Sequence, residues 1–307
     1  MNFEPSRKLI THFLIIFASL LVSRSFVMSQ SVGSEKLRNE FVRIAETAQG
    51  KVGVAATILE TGEAVNLAGE QHYPMQSVYK LPIAMTVLHL ADQGKINLQE
   101  KIPILKSDLV MEKLHSPIRD KNPNGGSLTV SEIIRYAVAE SDGTASDVLL
   151  RIIGGAEVVD KYLRTLNVNG VVVMSTEKEI SSDVTVQYKN WADPISAVKL
   201  LKVLFTGNAL SAKNQALLLN FMTETETGKK RLKGLLPAGT IVAHKTGTSL
   251  TTNGLTHATN DIGIITLPNG KHLAMAVFVS DSTASQDVRE GVIAKLAQAA
   301  WNYWMVK

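Results

Sequence analysis

The sequence predicts a protein of the α/β class, of the α+β type. We expect an antiparallel sheet formed from both chain ends and flanked by helices, with an all-α domain inserted into it. Strand-like segments occur near the start and the end of the chain, and segments with helical spacing fill the middle. The 307 residues are 45% hydrophobic and 20% charged, which is enough for a sizeable core and one or two domains.

The first segment, residues 1–29, is predicted to be a secretory signal peptide. Arg7 and Lys8 precede an apolar run that is too short for a comfortable membrane span, and small and polar residues follow it. We expect cleavage near Ser29, with Ser25 as the alternative. An uncleaved N-terminal anchor is the other interpretation.

The next third of the chain alternates between helical and strand patterns. Glu60-Thr61-Gly62 is a hairpin signal between two strand-like runs, and Gly94 ends the helix that follows Ser77. Pro82 lies inside this helix and removes a backbone donor, so we expect a local irregularity there. The expected elements are a helix over 35–49, strands over 51–59 and 64–67, and a helix over 77–93.

The middle of the chain is predicted to be helical apart from two segments. Residues 98–126 are polar and contain three prolines, so they are expected to be mostly connection. Residues 172–191 have no helical period, and such a long irregular segment in a compact protein is usually functional or disordered. Thr129 and Glu132 form a capping box that starts a helix. The expected helices are 129–138, 144–154, 156–166, 193–205 and 211–221.

The C-terminal part returns to strand patterns before a final amphipathic helix. Pro268-Asn269-Gly270 forms a turn between the last two strand-like runs. The expected elements are strands over 240–245, 261–267 and 272–280 and a helix over 286–304. We therefore expect a sheet domain from 30–72 and 225–307, an all-α domain from 73–224, and an active site between them.

Charge and composition exclude several classes of function. Loss of three cationic and one anionic side chain with the leader lowers the formal net charge from +4 to +2, and no basic block suggests a nucleic-acid partner. The absence of cysteine excludes thiol catalysis and disulfides. The seven histidines lack metal-ligand spacing, so neither a metal nor another cofactor is expected.

Ser77 and Lys80 form the first candidate chemical motif. Residues three apart on a helix are neighbours, so Lys80 could accept the Ser77 proton and make a weak nucleophile reactive. To do so Lys80 must spend time neutral, which burial or a second nearby cation favours. The Ser-x-x-Lys spacing also occurs at Ser175 and Ser196, so the spacing alone is weak evidence.

Two further motifs lie at predicted element boundaries, where side chains from different elements can converge. Ser141-Asp142-Gly143 interrupts the helical middle, and Lys245-Thr246-Gly247 ends a predicted strand. Each has a simpler interpretation, because the first is a common turn sequence and the second a common strand end. The occurrence of all three motifs in this order is harder to explain by these simpler interpretations.

The combination resembles the class A serine β-lactamases and the related penicillin-binding proteins over essentially the whole mature chain. Within the class it is most similar to the PER-type extended-spectrum branch, in the segments 74–78, 186–188 and 231–240. The resemblance implies hydrolysis of the β-lactam ring of penicillins and cephalosporins, and hence antibiotic resistance. It also implies a monomer in the bacterial periplasm, free of the membrane after signal cleavage, that binds a small-molecule β-lactam.

The resemblance assigns roles to the motif residues. Ser77 attacks the β-lactam carbonyl, and the backbone N–H groups of Ser77 and Thr248 hold the oxyanion. Lys80 helps to move protons, and Ser141 delivers one to the leaving nitrogen. The substrate carboxylate faces a strand segment made of Lys245, Thr246, Gly247 and Thr248.

Hydrolysis of the acyl-enzyme requires a base, which the family places in the loop before the helix over 193–205. Glu177 fits this position, and Glu179 and Asp183 are local rivals. In the same loop Ser181 replaces an asparagine and would hold the water less tightly. Ser175 and Asn190 replace an arginine and an aspartate that commonly anchor the loop, so we expect it to fold differently or move more.

Two other departures from the family concern substrate binding. Gly143 replaces the usual asparagine, from which we expect altered substrate or inhibitor preference. Asn260 occupies the position of a common arginine, and Arg231 could supply that charge. Alternatively, Arg231 is a solvated surface residue beside Lys229 and Lys230.

Two other functions remain as alternatives. A penicillin-binding DD-peptidase shares the acylation residues but stalls as the acyl-enzyme, and Glu177 argues for hydrolysis. A non-catalytic β-lactam sensor would need a membrane transducer, and the sequence contains no second apolar span of the required length.

Overall fold

The computed structural model describes Met1 and residues 32–305. Apart from Met1, the predicted signal peptide and its expected cleavage sites lie outside the described residues. The described helices are α1 (Val32–Ala45), α2 (Lys80–Asp92), α3 (Pro117–Lys121), α4 (Val130–Val138), α5 (Gly143–Ile153), α6 (Ala156–Thr165), α7 (Glu177–Ser182), α8 (Pro194–Phe205), α9 (Ala212–Thr223) and α10 (Gln286–Met305). The described strands are β1 (Lys51–Ile58), β2 (Ala64–Leu67), β3 (Tyr73–Pro74), β4 (Lys101–Ile104), β5 (Gly126–Thr129), β6 (Val171–Val172), β7 (Trp191–Ala192), β8 (Val242–Thr248), β9 (Thr251–Thr252), β10 (Leu255–Thr256), β11 (Thr259–Thr266) and β12 (His272–Ser280).

The main sheet is antiparallel and joins the two ends of the chain, as the sequence predicts. Its strand order is β2-β1-β12-β11-β8, so the N-terminal hairpin pairs with the three long C-terminal strands. In the central pair, Lys51 lies opposite Ser280 and Ile58 opposite Leu273. The strand β8 lies at one edge of this sheet, where it faces the helical part of the molecule.

Both faces of the main sheet are buried at its central strand β12, which explains why this strand is almost continuously apolar. Because successive side chains of a strand point to opposite faces, alternate residues of β12 enter two different cores. Met275 and Val277 pack with α1 and α10, and Ala276 and Phe278 pack with the helical part. The sheet thus lies between the terminal helices and the helical middle of the chain.

The range 73–224 is mostly helical, but it also contains two small sheets that were not predicted. One has the order β3-β7-β6, and the other pairs β4 with β5. The prediction that 98–126 is mostly connection was therefore wrong in part, since α3 also lies there. Pro103 obscured the strand signal, although a proline is tolerated in a strand that has a free edge. The separation of 73–224 as a domain stays a prediction.

The helix after Ser77 begins later than predicted. Residues Gln76–Tyr79 form a short 3₁₀ helix, and the α-helix α2 begins at Lys80. Pro82 consequently lies in the first turn of α2, where a backbone N–H has no partner within the helix. The expected irregularity is present as the change from 3₁₀ to α-helix that precedes the proline.

The segment 172–191 is more regular than the sequence pattern indicated. The helix α7 begins after a capping box, in which Thr176 Oγ1 accepts from the Glu179 N–H and the Glu179 carboxylate accepts from the Thr176 N–H. Asn190 closes the neck of the segment: its side chain accepts from the N–H groups of Met174 and Ser175 and donates to the Ser175 carbonyl. The expectation that this loop folds differently or moves more than in the family stays a prediction.

Within residues 32–305, none of the helices combines the length and the apolar character that crossing a membrane requires.

Candidate active site

The Lys80 ammonium lies at the centre of the site. Its Nζ donates to Ser77 Oγ at 2.8 Å and to the Ser141 carbonyl at 2.9 Å, and it lies 3.1 Å from Glu177 Oε2. Lys80 is buried, whereas Ser77 is half-buried and lines an open cleft. One cation therefore contacts the predicted nucleophile, the second motif and the predicted base.

Two non-glycine residues next to this cation have left-handed backbone conformations. Gln76 has φ 46° and Ser141 has φ 57°, a region that costs most residues free energy. Gln76 is held by a hydrogen bond of 2.6 Å from its Nε2 to Gln187 Oε1. Ser141 is held by its contacts with the two motif lysines. Such conformations persist only where surrounding contacts determine them, and here they orient both motif serines toward the cleft.

The third motif meets the second through Lys245. Its Nζ donates to Ser141 Oγ at 2.9 Å and to the Thr246 carbonyl at 3.0 Å. Burial and the charge of Lys80 place the pKa of Lys245 well below its ordinary value. Ser141 Oγ thus has a donor on one side and faces the cleft on the other, as a proton carrier requires.

Gly247 allows the sheet edge to approach the nucleophile. A Cβ atom at this position would lie 2.3 Å from the Met75 carbonyl oxygen, so no other residue fits without moving the backbone. The close contact brings β8 against the 3₁₀ turn that carries Ser77. Thr246 and Thr248, on either side of the glycine, line the cleft.

Glu177 is the acidic residue of the loop that contacts the motif lysine. Burial raises the pKa of its carboxyl, but the charge of Lys80 and the hydrogen bonds from Tyr79 and Lys80 outweigh burial, so the pKa lies below the ordinary value. The rivals are engaged elsewhere: Glu179 caps α7, and Asp183 accepts from the Thr185 N–H and hydroxyl.

The second motif is part of the start of α5. Asp142 is its N-cap and accepts from the Ala145 N–H, and burial raises the Asp142 pKa. Gly143 faces Glu177, because a Cβ atom at Gly143 would lie 2.8 Å from Glu177 Cγ. The missing side chain at this position therefore leaves space that Glu177 occupies.

Arg231 is buried, so its interpretation as a solvated surface residue is wrong. Its side chain is 4% exposed and forms an ion pair of 3.2 Å with Glu290. The guanidinium also donates to the Asn260 and Gly247 carbonyls and, at 2.7 Å, to Thr248 Oγ1. It thus places a positive charge at the cleft wall, next to Thr248.

The predicted residues converge on one cleft of about 600 Å³. Three predicted residues are buried and do not line the cleft themselves: Gly143, Lys245 and Gly247. Ser181 lines it, although its hydroxyl donates to the Lys178 carbonyl at 2.7 Å. The predicted residues that line the cleft directly are Ser77, Lys80, Ser141, Glu177, Ser181, Arg231, Thr246 and Thr248.

Two residues beside Glu177 were not identified from the sequence. The Tyr79 hydroxyl donates to Glu177 Oε2 at 2.7 Å, and Asp147 accepts from the Glu177 N–H, also at 2.7 Å. The only signal for Tyr79 is a phenolic side chain inside the Ser-x-x-Lys motif. Among residues 32–305 no group of histidines and carboxylates has the arrangement of a metal site.

Comparison with known proteins gives the same assignment over most of the chain. The model of the Beta-lactamase enzyme family matches residues 35–304. The extended-spectrum β-lactamase PER-1 of Pseudomonas aeruginosa is 39% identical over 295 residues, covering 95% of this chain and 96% of the relative. The β-lactamase VEB-1 of the same organism is 36% identical over 302 residues, covering 98% of this chain and all of the relative (100%).

Solved structures agree with these relatives. The TLA-3 extended-spectrum β-lactamase is 45% identical, with a TM-score of 0.86 over 89% of this chain and 100% of that one. A β-lactamase from Chitinophaga pinensis is 44% identical, with a TM-score of 0.85 over 87% of this chain and 98% of that one. The chain belongs to the beta-lactamase enzyme family, as a class A serine hydrolase of β-lactams.

Proposed function

We propose that the protein hydrolyses β-lactams through an acyl-enzyme on Ser77, with Glu177 as the base of the hydrolytic step. The observation that carries the proposal is the position of the Lys80 ammonium, which contacts Ser77 Oγ at 2.8 Å and Glu177 Oε2 at 3.1 Å. The proton that Ser77 loses can leave toward this pair, and the same pair stands beside the ester that results.

In the acylation step, Ser77 Oγ bonds to the β-lactam carbonyl carbon and the ring C–N bond breaks. The Ser77 proton passes through the Lys80–Glu177 pair toward Ser141 Oγ as Ser141 Oγ gives its own proton to the leaving nitrogen, so Ser141 is reprotonated and the Glu177 carboxylate is ionised again in the acyl-enzyme. Lys245, which donates to Ser141 Oγ at 2.9 Å, stabilises the charge that forms there. Backbone N–H groups of Ser77 and Thr248 are proposed to hold the carbonyl oxygen.

In the deacylation step, Glu177 removes a proton from a water molecule whose oxygen attacks the ester carbonyl. The bond to Ser77 Oγ breaks, and the proton returns to the serine. The lowered pKa of Glu177 keeps its carboxylate ionised at neutral pH, which a general base requires. The Ser181 segment of α7 faces the same space, and we propose that it contributes to holding the water.

The carboxylate of the substrate is proposed to lie against Thr246 and Thr248, with Lys245 and Arg231 behind them. Replacement of Arg231 by alanine should raise KM for a cephalosporin about tenfold, the usual effect of losing one charged hydrogen bond. Lys230→Ala, which removes an exposed neighbouring cation, is the control and should leave KM unchanged. Equal KM values for both variants would contradict the role of Arg231.

The substrate range is proposed to be extended and to include oxyimino-cephalosporins. Two similar proteins carry extended-spectrum names. The cleft has an apolar rim, formed by Leu114, Ile180, Val184 and Leu250, that could bind a bulky acyl side chain. Turnover of an oxyimino-cephalosporin at a rate similar to that of a simple penicillin would support this range, and turnover of penicillins alone would contradict it.

The decisive experiment mixes the mature protein with a chromogenic cephalosporin and follows both colour and intact mass. Continuous turnover is expected for the parent protein. One equivalent of colour with a persistent adduct would instead indicate a penicillin-binding DD-peptidase. Glu177→Ala should slow deacylation by about 10²-fold to 10⁴-fold and accumulate acyl-enzyme, and unchanged turnover would assign the base elsewhere.

We further propose that the protein is a monomer of the bacterial periplasm, released after signal cleavage. The intact mass of protein recovered by osmotic shock should correspond to a chain that starts near residue 30, and sedimentation should give a single monomeric species. Recovery only with the membrane fraction would favour the uncleaved anchor.

A further inference from the structure

Tyr79 lies next to Lys80 in the chain and contacts Glu177, two residues of the predicted catalytic machinery. Its side chain is fully buried, and its hydroxyl donates to Glu177 Oε2 at 2.7 Å. The neighbouring residue, Lys80, contacts the same oxygen atom from 3.1 Å. The carboxylate therefore has two donors supplied by adjacent residues, one charged and one neutral.

The hydrogen bonds around Tyr79 determine which acceptor its hydroxyl proton has. The Tyr79 hydroxyl has one proton, and Ser146 Oγ lies 3.3 Å away as its other polar neighbour. The Ser146 proton already has an acceptor in the Gly143 carbonyl at 2.8 Å. The Tyr79 proton is thus available for Glu177. Burial and the nearby Glu177 charge raise the pKa of Tyr79 well above its ordinary value, so the phenol stays a donor at neutral pH.

The donors Tyr79 and Lys80 make the two oxygens of the Glu177 carboxylate unequal. Among the described residues, Tyr79 and Lys80 both contact the Glu177 carboxylate at Oε2. This leaves Oε1 as the oxygen that a water molecule can approach. The contact from Lys80 must weaken whenever Lys80 gives up a proton, whereas the contact from the neutral phenol does not depend on proton transfer.

We propose that Tyr79 is a positioning residue for deacylation, which holds Oε2 of Glu177 so that Oε1 faces the hydrolytic water and remains ionised. This inference depends on the proposed function of Glu177 as the base. The alternative is a purely structural hydrogen bond inside the core, whose loss would reduce stability without a specific effect on the hydrolytic step.

The test compares Tyr79→Phe with Tyr162→Phe. Both substitutions remove one buried hydroxyl and keep the ring, and the Tyr162 hydroxyl donates to the Ala209 carbonyl at 3.0 Å, away from the cleft. Acylation and deacylation rates are measured separately by rapid quenching and intact mass. Tyr79→Phe should slow deacylation about tenfold, as expected for one hydrogen bond to a charged group, and leave acylation within about threefold. Tyr162→Phe should change neither rate.

The pH profile provides a readout that a structural role would not change. A hydrogen bond to the ionised form favours ionisation, so its loss in Tyr79→Phe should move the acidic limb of the deacylation rate to higher pH. The loss of rate should therefore be larger at acidic pH than on the plateau. A profile that overlays the parent, or a limb that moves equally in Tyr162→Phe, would overturn the proposal.

A double variant separates failure of this inference from failure of the proposed function. In the Glu177→Gln background, Tyr79→Phe should change deacylation less than about twofold, because the hydroxyl acts through that carboxylate. If the full loss persists in this background, Tyr79 acts independently of Glu177 and the inference is wrong. If Glu177→Gln alone deacylates like the parent, the proposed base is wrong, whatever the effect of Tyr79→Phe.

Discussion

The position of Glu177 depends on the absence of a side chain at Gly143. The start of α5 lies so close to the glutamate that a Cβ atom at Gly143 would be 2.8 Å from Glu177 Cγ and 3.3 Å from its Cδ. Heavy atoms do not approach this closely without displacement, so a side chain here must move the glutamate or the helix. A substitution at this position thus acts on the proposed base as well as on the substrate.

Gly143→Ala is therefore expected to slow deacylation by about tenfold or more, while Ser77 still acylates. The added methyl group pushes Glu177 away from Lys80, and displacement of a base by a fraction of an ångström is costly. Accumulation of acyl-enzyme by intact mass measures the effect. Gly291→Ala, on α10, is the control because an added Cβ there meets nothing within 4 Å.

Gly143→Asn adds an amide to the same displacement, so its relative activity toward different β-lactams should change as well. Kinetics identical to the parent in both Gly143 variants would show that the cleft absorbs the added atoms. In that case the glycine would have no part in placing Glu177.

Residue-scale predictions from the sequence succeeded where the interacting residues are close in the chain. The spacing of Ser77 and Lys80 in a predicted helix indicated that they are neighbours, and their contact is 2.8 Å long. Arg231 and Glu290 are 59 residues apart, and no local sequence pattern predicts their ion pair. The contact of the Tyr79 hydroxyl with Glu177 was equally unpredictable, because an aromatic residue in an apolar helix is normally a core residue.

At the scale of elements, α7 is attached to α5 by one carboxylate. Asp147 accepts from the N–H groups of Glu177 at 2.7 Å and Lys178 at 3.2 Å, the first two residues of α7. These N–H groups have no partners within their helix, so Asp147 acts as a cap supplied by another element. Burial, with a contribution from the charge of Glu177, raises the pKa of Asp147 from 3.8 to about 6.

This shift makes the stability of the protein depend on pH. A carboxyl whose pKa is higher in the folded than in the unfolded state stabilises the fold below the unfolded pKa, and this contribution is lost as pH rises through the folded value. For Asp147 the loss occurs between about pH 4 and pH 7. A shift of about two units corresponds to at most about 3 kcal/mol of unfolding free energy.

Asp147→Asn should remove this loss, since an amide does not titrate. The unfolding free energy of the variant minus that of the parent should increase by up to about 3 kcal/mol between pH 4 and pH 8, measured by denaturant titration. Asp147→Ala should show the same slope with a constant additional loss, because both backbone N–H groups then lack an acceptor. A difference that does not vary with pH would contradict the assignment.

The elements themselves were predictable to different degrees. All five strands of the main sheet were expected, and the clearest apolar run is that of β12. The helix α7 was missed although Thr176 and Glu179 form a capping box in the sequence, the same signal that correctly predicted α4 from Thr129. Its six residues are too short to show a helical period, so only the cap could have revealed it.

At the scale of the whole molecule, the cleft exists because the sheet edge and the helical part are fastened together beside Ser77. Asn260, on β11, donates from Nδ2 to the Pro74 carbonyl at 2.8 Å and to the Met75 carbonyl at 3.1 Å. Gly247 on β8 permits the same approach. The sequence indicated that the two parts would meet at these motifs, but the atoms that join them come from positions about 185 residues apart.

Asn260→Ala should therefore affect both stability and acylation. The substitution leaves two carbonyls of the segment before Ser77 without their donor, which should lower the unfolding free energy by about 1–3 kcal/mol. The segment can then shift relative to β8, so acylation should slow about tenfold or more while the proposed base is untouched. Asn214→Ala is the matched control, because this buried asparagine donates to Asp92 and to the Leu88 carbonyl within the helical part. We expect a similar loss of stability with unchanged acylation in the control; equal acylation rates in the two variants would show that the nucleophile keeps its place without the contact to the sheet.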